Sequence, residues 1–360
     1  MQKKSRKLIV PEIPTETWRA LYEAADALSE LRLWECMGDA ELLGVDDPHT
    51  DGPVLGAVMG ALGEVFGIAL HYGPAALRWV IELATNDAPD VDLNEFLSIA
   101  VVKVEFVPKG ELPPEDKRRV KALGFTPRGG PRAKWPLFQS HRPGYLPWHI
   151  DENDARLLLH ALPRVAALGT AVRPLYESDD DFHSNGFAFF PKDRAPGPLR
   201  LDEVEWRRVE PPPELPPASF SVDEVTAAIL AKLPQQPSVV LEVEAFCGVG
   251  SIAKGGENGR PWLVKAALAA EAESGFIAAM VPGDAPGDAL EAIAGRALVR
   301  GMKGLGLRPG AVHLKSRRAA EALAALAAQL GIPLKLRRAL PAVDEARAAM
   351  PPQFGFGMPG

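Results

Sequence analysis

The last third of this chain restricts its fold most. From Val239 to Met350, apolar runs and turn residues alternate as strand, strand, strand, helix, strand, helix, strand, helix. The strands are expected at Val239–Phe246, Trp262–Glu271, Gly275–Val281, Ala311–Leu314 and Leu334–Leu340, and the helices at Gly287–Lys303, Arg317–Leu330 and Ala342–Met350. The strand Ala311–Leu314 runs into Lys315 and Ser316, so no acidic residue stands at its carboxyl end.

The first half reads as a smaller α+β unit. Residues 15–33 carry Trp18, Leu21, Tyr22, Ala25 and Leu28 at helical spacing behind Thr15 as N-cap. A turn-rich acidic segment follows, with Asp39, Glu41, Gly44, Asp46 and Asp47. Val54–Met59 and Val65–Tyr72, separated by Gly60 to Gly63, predict a hairpin. A helix over Ala75–Ala84, a strand within Phe96–Val107 and a short helix over Glu115–Leu123 come next. Gly124–Pro147 reads as a loop. Asp151 or Asn153 then caps a helix through Leu168, kinked at Pro163. Phe187–Phe190 and Val204–Val209 read as short strands.

Pro211–Pro217 holds five prolines in seven residues and marks a boundary. Beyond it, Ser221 and Glu224 form an expected capping box. The fold class expected is mixed α/β. An N-terminal α+β module spans 1–170, an irregular connection 171–217, and an α/β domain 218–360.

With 360 residues and 47% hydrophobic content, the chain has room for two or three cores. The apolar run Leu8–Val10 is too short for a secretory leader, and no stretch approaches the ~20 apolar residues of a membrane span. Two distant cysteines, Cys36 and Cys247, argue against a disulfide framework and fit a cytoplasmic protein without a membrane anchor. The net charge of −7 is uneven: Arg296–Arg347 holds 11 Lys/Arg against 3 Asp/Glu. Such a basic lobe either binds a polyanion or docks on acidic groups of its own chain.

Two resemblances follow. Trp34-Glu35, Gly44-Val45-Asp46-Asp47-Pro48, the run Val58 to Gly67, and Pro143-Gly144-Tyr145-Leu146-Pro147-Trp148 resemble an uncharacterised bacterial family of unknown function. The element order from Val239, with Arg308 to Leu314 and Leu330-Gly331-Ile332-Pro333, resembles a ribonuclease H-like, integrase-core domain. That second resemblance implies three acidic residues holding two divalent metals. Glu242 or Glu244 stands at the first position and Asp344 or Glu345 at the last, while Lys315 or Ser316 takes the middle one. A lysine there repels a cation. The resemblance therefore implies a degenerate site and no cofactor, with Mg²⁺ as the alternative should a reduced carboxylate set suffice.

Glu244, Glu345 and Glu64 are the catalytic candidates; no metal ligand set is assigned. Glu64, with Asp46 and Asp47 near in sequence, is either a turn residue or part of a carboxylate site. Lys315, Arg317, Arg318, Arg337 and Arg338 are the candidate nucleic-acid contacts, against the reading of a solvated helical face. The aromatic stretch 135–148, with Trp135, Phe138, Tyr145 and Trp148 among Arg128, Arg132, Lys134, His141 and Arg142, either binds a protein or single-stranded nucleic acid or pins a loop to a core. Cys247 to Gly256 lacks the P-loop order of glycine, lysine and Ser/Thr and reads as a strand connection. Asp179-Asp180-Asp181-Phe182-His183 has metal-ligand residue types without supporting spacing. The leading expectation is a non-catalytic binding or scaffold protein. The alternative is a nucleic-acid-binding protein or metal-dependent nuclease acting through the basic lobe, and the third is a small-molecule enzyme at Asp46, Asp47 and Glu64.

Overall fold

The computed structural model describes residues 12–38, 40–50, 52–85, 98–128, 134–177, 186–253 and 260–350, with side chains left out for 248–253. The runs Asp179–His183 and Lys254–Gly256 lie outside the described residues, as do Asp39 and Arg132. The chain divides into two compact units. One comprises Met1–Pro143 and Pro147–Glu214, the other Gly144–Leu146 and Leu215–Gly360.

In the first unit, α1 (Thr15–Leu31) leads to β1 (Leu43–Asp46), β2 (Pro53–Met59), β3 (Gly67–His71) and α2 (Pro74–Thr85). Then come β4 (Val101–Val107), α3 (Pro114–Leu123), β5 (Trp135–His141), α4 (Glu152–Glu177), β6 (Phe187–Phe189) and β7 (Glu205–Arg207). The seven strands form one sheet in the order β5-β4-β3-β2-β1-β6-β7. Neighbours from β5 to β1 are antiparallel, while β6 runs parallel to β1.

Alternation along β4 sorts the two faces. Val102, Val104 and Phe106 enter the core with Trp18, Leu21, Tyr22, Leu158 and Leu162 from α1 and α4. Lys103 and Glu105 point the other way and pair with each other. On that second face α2 packs Leu77, Val80 and Ile81 against Leu55, Ala57 and Phe189.

Several local expectations change here. Thr15 is the first helical residue and Pro14 the N-cap. The acidic turn segment contains β1, whose Leu43, Gly44 and Val45 are buried. Residues 135–141 form a strand within the expected loop. Its Pro136 is tolerated because β5 lies at the sheet edge, where a missing N–H costs less. α4 continues past Pro163 and Pro174 to Glu177, since Val165, Leu168 and Val172 remain buried along it.

In the second unit, α5 (Glu224–Lys232) precedes β8 (Gln235–Ala253), β9 (Trp262–Glu271) and β10 (Ile277–Pro282). Then α6 (Leu290–Leu305), β11 (Arg308–Leu314), α7 (Arg317–Leu330), β12 (Leu334–Leu336) and α8 (Pro341–Ala348) complete it. The sheet order is β10-β9-β8-β11-β12. β9 pairs antiparallel with both β8 and β10, and β11 and β12 extend the sheet in parallel from β8. Asp223, not Ser221, caps α5, accepting from the Thr226 N–H at 2.8 Å.

The buried alanines of β9 let helices approach both faces. Ala267 and Ala269 pack with Ile293, Leu298, Leu323 and Leu326 of α6 and α7. Ala266, Leu268 and Ala270 pack with Leu340, Ala342 and Val343 around α8. Among the described residues no helix is long and apolar enough to cross a membrane.

Candidate functional site

A group of paired charges lies just beyond the carboxyl end of β11. His313 pairs with Glu242 of the parallel strand β8. Side chains return to one face every second residue, so Lys315 comes beside Glu244. The Lys315 Nζ lies 3.6 Å from Glu244 Oε2 and donates to Asp344 Oδ1 at 2.5 Å. From α8, Arg347 donates to Glu244 Oε2 at 3.1 Å, and its guanidinium lies over the Phe246 ring. Two carboxylates thus face two cations.

Glu242 does not join them. It is 3% exposed, and its Oε2 accepts from the Val343 N–H at 3.1 Å. Burial alone would raise the Asp344 carboxyl. Hydrogen bonds from Lys315 and the Leu340 N–H, with the charges of Lys315 and Arg347, hold it below its ordinary value instead. Glu345, one residue further along α8, is exposed. A divalent ion here would have to displace an ammonium group already paired with both carboxylates. Among the described residues no group of three or more His, Cys, Asp or Glu could hold a metal ion.

Most cations of the basic lobe are used internally. Arg317 pairs with Glu321 at 3.0 Å, Arg318 with Glu291 at 2.7 Å and Arg296 with Asp288 at 3.0 Å. Arg308 donates to the carbonyls of Leu233 and Leu330. Glu244, Asp288 and Glu291 all precede Arg296, so a charge count over Arg296–Arg347 misses them.

Lys335, Arg337 and Arg338, on and just after β12, are exposed and have no carboxylate partner among the described residues. His313 lies across from Lys335. Burial first, then the charges of Arg337 and Lys335, lower its pKa.

In the first unit the three carboxylates Asp46, Asp47 and Glu64 do not converge. Asp46 pairs with Pro53 at the start of β2, while Glu64 lies in the exposed turn after Met59 at its end. Seven residues of strand separate those ends by roughly 20 Å. Asp46 is instead bound to Arg207 at 2.7 Å. Asp47, 5% exposed, is bound to Arg156 at 3.0 Å and to the His49 N–H at 2.9 Å.

The aromatic stretch is largely core. Trp135 and Phe138 are buried, and Phe138 meets Tyr22 edge to face with centroids 5.3 Å apart. Lys134 sits over the Phe66 ring, and Arg128 pairs with Glu30 at 2.8 Å. Tyr145 belongs to the second unit, bridged to Trp262.

Asp151, one of the two caps expected for α4, is joined there by Asp154, which the sequence reading did not name. Asp151 and Asp154 each accept from the other's backbone N–H, at 3.1 and 3.0 Å. Arg142 pairs with Asp151. Asp154 is 3% exposed, and burial raises its carboxyl despite bonds from Asp151 and Ser140. The Asp-x-x-Asp spacing was the available signal.

Fold and charges together define a two-unit α/β chain whose second sheet ends in a self-neutralised ion-pair cluster. Residues 18–188 match the family described as Domain of unknown function (DUF7309), and residues 226–351 match Domain of unknown function (DUF6930). No curated protein and no solved structure matches the chain.

Proposed function

We propose that this chain is a non-catalytic binding or scaffold protein, and that its second unit is a ribonuclease H-type domain that does not carry out metal-dependent cleavage. The strand order, with β8 central between an antiparallel hairpin and two parallel strands, supports the scaffold assignment. The observation that carries the non-catalytic reading is the Lys315 ammonium between Glu244 and Asp344. It supplies the positive charge that a metal would otherwise bring. Two cysteines that form no disulfide suit a cytosolic setting.

The test is incubation of the full chain with labelled single- and double-stranded DNA and RNA in Mg²⁺ or Mn²⁺, with melting followed in parallel. No cleavage and no metal-induced rise in Tm are expected. Metal-dependent cleavage that disappears in Glu244→Gln would overturn the proposal.

A second reading rests on Lys335, Arg337 and Arg338. Three exposed cations without carboxylate partners among the described residues make a small polyanion-binding patch, narrower than the lobe expected from sequence. Salt-sensitive nucleic-acid binding that these three residues carry, while Arg317 does not, is its signature.

A further inference from the structure

Among the described residues the first sheet has one parallel pair, β1 and β6, with Gly44 opposite Phe189. The chain leaves the carboxyl end of β1 toward β2 and the carboxyl end of β6 toward β7. Those two strands lie on opposite sides of the pair, so the connections part from each other. In open sheets the place where two such connections diverge, outside the carboxyl ends of parallel strands, is where ligands bind.

α4 brings polar side chains to this end of the pair. Arg156, His160 and Arg164 recur every fourth residue and so share one face of the helix. Arg156 donates from Nη1 to both carboxylate oxygens of Asp47, at 3.0 and 3.1 Å. His160 donates from Nε2 to the Asp46 carbonyl at 2.9 Å. The Arg164 guanidinium lies 5.7 Å from the ring centroid of Phe190, the residue that follows β6.

The charges of this group do not balance. Leu43 and Val45 face the core under α4, so alternation turns the Asp46 side chain to the other face of the sheet, where Arg207 pairs with it. On the α4 side two guanidiniums then meet the one carboxylate of Asp47. Arg164 is the surplus cation. It is half-buried, its Nη1 donates to the His160 carbonyl at 2.8 Å, and among the described residues no carboxylate pairs with it. Burial lowers its pKa against the opposing effect of Asp47. A cation partly removed from water without its own counter-ion is the arrangement that an incoming anion relieves. The Nη1 bond leaves the Nε–Nη2 edge of the guanidinium without a partner among the described residues. That edge grips a carboxylate through two parallel N–H···O bonds.

We propose that the carboxyl end of β1 and β6 is a binding site for a small organic acid, held by its carboxylate on Arg164. Charge sets the class of ligand. One surplus cation matches one negative charge, whereas a phosphate dianion would bring a second charge toward Asp47. The site lies in the first unit and stands apart from the ion-pair cluster at the end of β11.

The test is thermal melting of the full chain with acetate, lactate or inorganic phosphate, with chloride holding the ionic strength constant. A saturable rise in Tm with the two carboxylates is expected. Arg164→Gln should abolish it. Arg164→Lys, which keeps the charge and loses the fork, should weaken the affinity about tenfold, and Arg317→Gln should leave it unchanged. Should the Arg164 variants fail to fold, an arginine-selective dicarbonyl reagent on the unaltered chain decides, with the modified peptides mapped by mass spectrometry. Lactate should slow modification of Arg164 and not of Arg317. No saturable rise up to about 100 mM carboxylate overturns the proposal. So does a rise that survives Arg164→Gln, a greater rise with phosphate than with the carboxylates, or modification of Arg164 that is indifferent to lactate.

Discussion

Lys315 and Asp344, 29 residues apart in the chain, meet at 2.5 Å, Nζ to Oδ1. This contact makes the cluster at the end of β11 pH-sensitive in one direction. The folded-state pKa of Asp344 is held below its unfolded value. The stabilisation is therefore complete above roughly pH 4 and is lost as pH falls through the folded pKa. Asp344→Asn should cost about 1 kcal/mol near neutrality, a modest figure because the Asp344 side chain is 41% exposed. The difference between variant and parent, read from urea melts, should shrink below pH 4. A difference unchanged by acid would show that Asp344 contributes through packing alone.

His71 predicts a second pH effect of the same sign but in another window. It is 4% exposed at the end of β3, stacked on Trp79, and its Nδ1 has no partner among the described residues. Burial pushes its pKa down to about 4. The unfolded chain takes up this proton near pH 6.5 and the folded chain does not. Stability should therefore fall as the pH drops from 6.5 toward 4, by about 2 kcal/mol at pH 5 relative to pH 7. His71→Phe should remove that part of the slope. A variant with the parent's slope would assign it to other groups.

The sequence pattern was most legible where period and punctuation agree. β9 and α7 have the bounds that their apolar spacing and flanking residues predicted. β1 was hidden because its four residues include Gly44 and Asp46, which also make turns. β5 was hidden by the prolines and glycines around Trp135. Glu244, Lys315 and Asp344 could each be named from sequence, and Lys315 marked the departure from an acidic triad. Their mutual contacts could not be, because they depend on parallel pairing between β8 and β11. The basic lobe misled for a related reason: Glu291 and Glu244, which neutralise Arg318 and Arg347, come from earlier elements.

Close backbone approach in the first sheet gives a third prediction. A Cβ at Gly67 would lie 2.2 Å from the Val104 carbonyl oxygen and 3.0 Å from the Glu105 Cα. Both obstacles are backbone of the adjacent β4, so no rotamer change relieves them. Gly67→Ala should therefore cost about 2 kcal/mol by overpacking, seen as a lowered Tm. Gly73→Ala is the matched control. Unlike Gly67 it has a positive φ, 79°, and so bears backbone strain as alanine, but nothing stands within 4 Å of its added Cβ, so its loss should still be smaller. Equal losses at the two positions would refute the steric account.

The exposed cations at β12 set the last expectation. Among the described residues Lys335, Arg337 and Arg338 have no carboxylate to release before meeting a phosphate, whereas Arg317 and Arg318 must give up Glu321 and Glu291. Each phosphate neutralised on a duplex contributes about 0.9 to the slope of log affinity against log salt. If the patch binds duplex nucleic acid, Lys335→Ala, Arg337→Ala and Arg338→Ala together should lower that slope by up to about 2.7. Arg317→Ala should change it little. Fluorescence anisotropy of a short labelled duplex over a salt series reads both. A slope that follows Arg317 and ignores the β12 residues would move the interface to α7, and an absence of binding at low salt would remove the polyanion reading altogether.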